Sequence, residues 1–199
     1  MTIETVAALE ALYGKPKPPS LRKVAQTLTP GYRTWIERAR FCVLTTVGPE
    51  GSDASPRGDD GPVVREIDAT TLAMPDWRGN DRLDSLRNIV RDPRVSLMFM
   101  VPGSTNVIRL NGKGRVTADP DVLASFDRGG KRPRSVILIT IGEIYFQCAR
   151  AVMRAGLWTR DDSEGLPSAG DLLAEMTQGD IGGAPYDAEW PERAKKTMW

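Results

Sequence analysis

Three short stretches gather the side chains most able to do chemistry, and arginine is common to all of them. Ser55-Pro56-Arg57-Gly58-Asp59 sets a guanidinium beside a hydroxyl and backbone N–H groups, which are the donors an oxyanion takes. Pro56 and the flanking glycines read equally as a sharply reversing loop in which the arginine is simply solvated. Met74-Pro75-Asp76 leads through Trp77-Arg78-Gly79 to Asn80-Asp81-Arg82, where Asn80 is a good N-cap for a helix starting at 80 or 81. Leu83, Leu86 and Val90 would then form its apolar face. Arg82 falls in the first turn, against the preference of the helix dipole for acidic groups there. An anion held between Arg82 and the free N–H groups resolves that conflict, and so does pairing with Asp81 or Asp84. Finally, Arg150, Arg154 and Trp158 recur at a spacing of four, one face of a helix. That face is either a basic surface beside a packed indole or the flank of a flat, phosphorylated ligand.

What the chain lacks narrows the chemistry further. It has no histidine, which removes Ser-His-Asp and Cys-His nucleophiles, imidazole metal sites and a histidine general base together. Cys42 and Cys148 are its two cysteines, with no CxxC spacing, so no metal site is expected and a reducing compartment is. The net charge of +1 across 199 residues gives no field that would gather nucleic acid or a membrane surface. An acidic start, MTIETVAALEALYG, and the lack of an 18-residue apolar run argue against a signal peptide and a membrane span. A cytoplasmic, soluble protein is the expectation. Of the 27 basic residues 20 are arginine, the side chain whose planar fork matches phosphate, although genome composition explains the same bias.

The elements that must position these groups are mostly strands. Alternating or continuous apolar runs occur at 41–47, 62–68, 70–75, 95–101, 106–117 and 135–147, joined mainly by turns rich in Gly, Pro or Asp. Helical segments at 80–91 and about 120–127 interrupt them. Links this short cannot make parallel crossovers, so the sheet is expected to be antiparallel and to close into a small barrel. Residues 1–40 read as an N-terminal helical arm with a break near Pro30, 41–158 as the core, and 159–199 as a C-terminal helical extension packing on it. In the extension, Ser168 begins a capping box into LLAEM.

Taken together, SPRGD (55–59), PDWRGNDRLDSLRN (75–88) and CARAVMRAGLW (148–158) resemble the flavin-binding branch of the pyridoxamine 5′-phosphate oxidase-like family. The resemblance runs over roughly residues 30–190 and implies a six-stranded antiparallel split β-barrel, mainly β with peripheral helices. It further implies FMN at the interface of a homodimer. Ser55, Pro56 and Arg57 would line the phosphate and ribityl end, and Met74, Pro75 and Asp76 the edge of the isoalloxazine. Asn80, Arg82 and Asn88 would hold the phosphate, while Arg150, Arg154 and Trp158 would approach from the last strand, with the other subunit as one source. The chain lacks the Arg-x-His of the pyridoxamine phosphate oxidases themselves, which separates it from vitamin B6 oxidation.

The implied activity is an FMN-dependent oxidoreductase for a small substrate, with hydride transfer at flavin N5 and NAD(P)H as an electron source. Flavin chemistry needs no protein nucleophile, so the missing histidine fits it. Two alternatives stand beside it: a protein that stores or senses FMN without turnover, and a split barrel holding a deazaflavin. A heme version is weakened by the absence of the usual axial histidine.

Overall fold

The computed structural model describes residues 2–148 and 150–198. Seven strands form one sheet: β1 (Phe41–Gly48), β2 (Gly51–Gly58), β3 (Arg65–Asp68), β4 (Thr71–Asp76), β5 (Arg94–Met100), β6 (Asn106–Thr117) and β7 (Ser135–Cys148). Every pairing is antiparallel, in the order β2-β1-β5-β6-β7-β4-β3. Around them lie α1 (Val6–Glu10), α2 (Pro18–Arg22), α3 (Pro30–Arg38), α4 (Asp84–Arg91), α5 (Pro120–Ala124), α6 (Arg150–Ala155), α7 (Ala169–Met176) and α8 (Gly183–Thr197). Among the described residues no helix is long and apolar enough to cross a membrane.

The expected antiparallel split barrel is present, and one contact shows how it closes. β2 and β4 stand first and sixth in the strand order, yet Arg57 on β2 and Asp76 on β4 form an ion pair at 2.6 Å. The sheet must roll up until these strands face each other. No ladder joins β2 to β4 among the described residues, so the barrel stays split along that seam.

Period-two alternation fills the interior. Cys42 and Leu44 on β1, Leu97 and Phe99 on β5, and Ile137 and Ile139 on β7 are buried, joined by Leu28, Ile36 and Ala39 from the segment before β1. A bulge at Asn111/Gly112 lets β6 bend along the long β7. Only glycine fits there, because a Cβ on Gly112 would lie 2.1 Å from the Thr140 carbonyl oxygen. A smaller cluster of Ala73, Phe126 and Val136, with Trp77 packed on it, fills the space under α5.

Two expectations are corrected. The sheet has seven strands instead of six, because 51–58 is a strand and not a reversing loop; the reversal is the Gly48–Gly51 turn before it. Pro56 is tolerated because β2 is an edge strand with β1 as its one partner. In addition, α4 begins at Asp84 with Leu83 at its N-cap in the left-handed region (φ 63°), three or four residues after the expected start at Asp81 or Asn80. Its buried residues are Ser85, Asn88 and Ile89, whereas Leu83 and Val90 are exposed. The capping box at Ser168 forms as expected, and α8, with Pro191 inside it, is an additional helix.

Candidate functional site

The seam between β2 and β4 opens into a cleft of about 1250 Å³, roofed by the 77–83 loop and the first turn of α4. Its floor is set by alternation on β2. Asp53, Ser55 and Arg57 are opposite Thr46, Leu44 and Cys42 in register and share the inward face with those buried residues. A strand that would otherwise carry apolar side chains inward carries polar ones here. Asp53 accepts a hydrogen bond from Ser85 Oγ at 2.8 Å, tying the start of α4 to the floor.

Arg57 donates through one terminal nitrogen to Asp76 Oδ1, while its Nε is buried and has no hydrogen-bond partner. Buried donors are seldom left unsatisfied, which sets Arg57 apart as a cleft residue with hydrogen-bonding capacity to spare. Opposite it, Cys42 is buried, and desolvation pushes its thiol up to about 12 despite the nearby Arg57 charge. At the outer rim Arg82 bonds Asp84 at 2.8 Å and Arg134 bonds Asp81 at 3.0 Å. Asn80 Oδ1 accepts from the Arg82 N–H, turning the loop rather than capping the helix.

A third group closes one end. The Asp59 side chain is only 2% exposed and accepts from the Trp77 indole at 3.0 Å, the Gly61 N–H at 3.2 Å and Arg128 at 2.5 Å. Burial works to raise the Asp59 carboxyl, but the hydrogen bonds from Gly61, Trp77 and Arg128 outweigh it and hold the group below the ordinary aspartate range.

Of the expected site residues, Ser55, Pro56, Arg57, Pro75, Asp76, Asn80 and Arg82 line this cleft together. Met74 and Asn88 do not. Met74 is buried in the core, and Asn88, also buried, donates to Thr46 Oγ1 at 3.1 Å and packs against Gly48. Arg150 and Arg154 lie on the exposed surface of α6, and the Trp158 indole donates to the Ser104 carbonyl at 2.7 Å, all outside the cleft of their own chain. Ala149, within that third motif, is outside the described residues. Asp59, Trp77 and Arg134 also line the cleft, beyond the residues expected from the sequence. The alternation Asp53, Ser55, Arg57, Asp59 would have flagged Asp59 had the stretch been read as a strand. Nothing local marks Arg128 or Arg134.

The family model described as pyridoxamine 5′-phosphate oxidase matches residues 28–148. HupZ of Group A Streptococcus, 14% identical, aligns over 61% of this chain and 95% of its own with a TM-score of 0.51. A point variant of the same HupZ, also 14% identical, aligns over 60% and 98% with a TM-score of 0.50. At these identities the likeness is one of fold. An FMN-binding protein from Syntrophomonas wolfei is 16% identical over 57% of this chain and 86% of its own, with a TM-score of 0.43. No curated protein matches significantly.

Proposed function

Because this chain belongs to the pyridoxamine 5′-phosphate oxidase family, we propose that it binds a flavin in the seam cleft and is an FMN-dependent oxidoreductase acting on a small substrate. The observation that carries this reading is the buried, unpartnered Nε of Arg57 on the cleft floor. It is a cationic donor facing the one face of β2 that is polar where a barrel strand is ordinarily apolar.

The residues present fit FMN. A guanidinium has five N–H donors, so Arg57 and Arg82 each keep donors after bonding Asp76 and Asp84. Ser55 adds a hydroxyl. No side chain caps α4, so the N–H groups of Asp84, Ser85 and Leu86 at its first turn are left for an anion. Arg57, Arg82, Ser55 and Asn80 would hold the phosphate, with Pro75 and Asp76 along the ring edge. When bound, the flavin supplies reversible hydride chemistry with no need for a protein nucleophile. The chain's own part is then to bind and orient, as the part-buried Arg57–Asp76 pair does by bridging the seam beneath the site.

The reading includes a homodimer with FMN at the subunit interface. Phe41 on β1 and Met98 on β5 are exposed on the outward face of the sheet, where a second copy would cover them. Arg150, Arg154 and Trp158, which do not reach their own cleft, would meet the partner's flavin across that interface.

The visible spectrum of the purified protein, followed by NAD(P)H oxidation after loading with FMN, tests the function. Oxidised-flavin bands and turnover are expected. Bands without turnover across a panel of acceptors favour the storage reading, and saturation by a deazaflavin but not by FMN overturns the cofactor. A monomer in sedimentation at micromolar concentration overturns the shared site.

A further inference from the structure

Trp77 is the one aromatic residue lining the cleft among the described residues, and its placement is over-determined. It packs on the Ala73, Phe126 and Val136 cluster on one side. Its indole N–H is held by Asp59 at 3.0 Å, and the Arg128 guanidinium lies 5.1 Å from its ring centroid. Arg128 in turn bonds Asp59 at 2.5 Å and Asp60 at 2.6 Å. A carboxylate this deeply buried is expensive unless each lone pair is used, and Asp59 uses its oxygens on an indole, a backbone N–H and a guanidinium. For a rim aromatic merely filling space, packing on the cluster suffices. Fixing the indole's azimuth with a buried ion pair matters when a flat group must pack against the ring.

We propose that Asp59 is a positioning residue: with Arg128 it locks the Trp77 indole into the wall of the cleft, and the flavin ring packs against that wall. This rests on the flavin-binding reading above. Asp59 touches no ligand itself. It acts through Trp77, so removing its charge should loosen the indole and weaken flavin binding only while Trp77 is there to be loosened.

The test labels the five tryptophans with 5-fluorotryptophan and follows their ¹⁹F resonances, that of Trp77 assigned by Trp77→Phe. In the flavin-free protein Asp59→Asn, which keeps the size of the side chain, should shift and broaden the Trp77 resonance. FMN should move the same resonance in the wild type. Asp59→Asn should weaken FMN binding about tenfold, the scale of one lost charge-assisted bond. In the Trp77→Phe background the same substitution should add less than about twofold, the sign of two residues acting as one unit. Arg128→Gln should reproduce each effect and stands in if Asp59→Asn does not fold.

A Trp77 resonance unmoved by both substitutions overturns the proposal, as does an equal loss of affinity with and without Trp77. FMN that binds the wild type yet leaves the Trp77 resonance in place overturns the positioning role and spares the flavin reading. Failure of FMN to bind the wild type overturns both.

Discussion

The floor and the outer rim of the cleft hold the same pair of side chains in opposite surroundings. On the seam Arg57 and Asp76 meet at 2.6 Å with side chains 20% and 17% exposed. At the rim Arg82 and Asp84 meet at 2.8 Å with 76% and 42% exposed. The first pair joins strands that stand first and sixth in the order of the sheet, and it bridges a seam that no ladder crosses among the described residues. The second joins near neighbours in sequence, in solvent, where an ion pair contributes little. Both arginines offer donors to an anion, but only Arg57 is also part of what holds the cleft together. Burial, rather than residue type, separates a group that builds the site from one that dresses it.

The sharpest way to break this comparison is Arg57→Ala. It leaves Asp76 partly buried without its partner, so urea denaturation should show a loss of about 1–3 kcal/mol, together with FMN affinity reduced more than about tenfold. A stability unchanged from wild type would make the seam pair a surface pair in all but appearance. Next in size is the acid limb of stability at the Asp59 end. A carboxyl held below its ordinary range contributes stability that is present above its unfolded value, about 4, and is lost as pH falls through the lower folded value. Urea midpoints of wild type and Asp59→Asn should therefore differ at neutral pH and converge below about pH 4; a constant gap would contradict the assignment.

Arg82→Ala should leave the urea midpoint unchanged and weaken FMN several-fold, on the order of one exposed charge-assisted bond. An equal fall in stability for the two arginine variants would erase the distinction between floor and rim. The smallest effect is a report on how dry the seam is. Native protein should lose its Cys148 thiol rapidly to a thiol reagent while Cys42, whose thiol burial pushes up to about 12, stays unmodified until unfolding.

Much of the barrel was legible from alternation, because apolar side chains turned inward are what a strand's period exposes to view. β2 was not, and the reason is the site itself. GSDASPRG has no large apolar residue, since the positions that face inward, Asp53, Ser55 and Arg57, line the cleft. The strand signal fails where the function replaces the core. The start of α4 was misplaced for a related reason: Asp81 and Leu83 adopt positive φ (57° and 63°), a conformation that sequence seldom announces in such residues. Arg57 and Arg82 were singled out from their motifs, and both line the cleft. Their difference in burial was not readable, because it depends on β2 meeting β4 across a sheet whose order only the fold reveals. Asp59, Trp77 and Arg128 come from three distant segments, and no local spacing joins them.

The central claim is that the seam cleft holds a flavin by its phosphate at Arg57. Titration of FMN and riboflavin against wild type and Arg57→Ala tests it most directly, since the two ligands differ only by that phosphate. FMN should bind the wild type at least about tenfold tighter than riboflavin, the scale of one charge-assisted bond, and the gap should narrow about tenfold in Arg57→Ala. Equal affinities in the wild type, or a gap as wide without Arg57 as with it, would contradict the account.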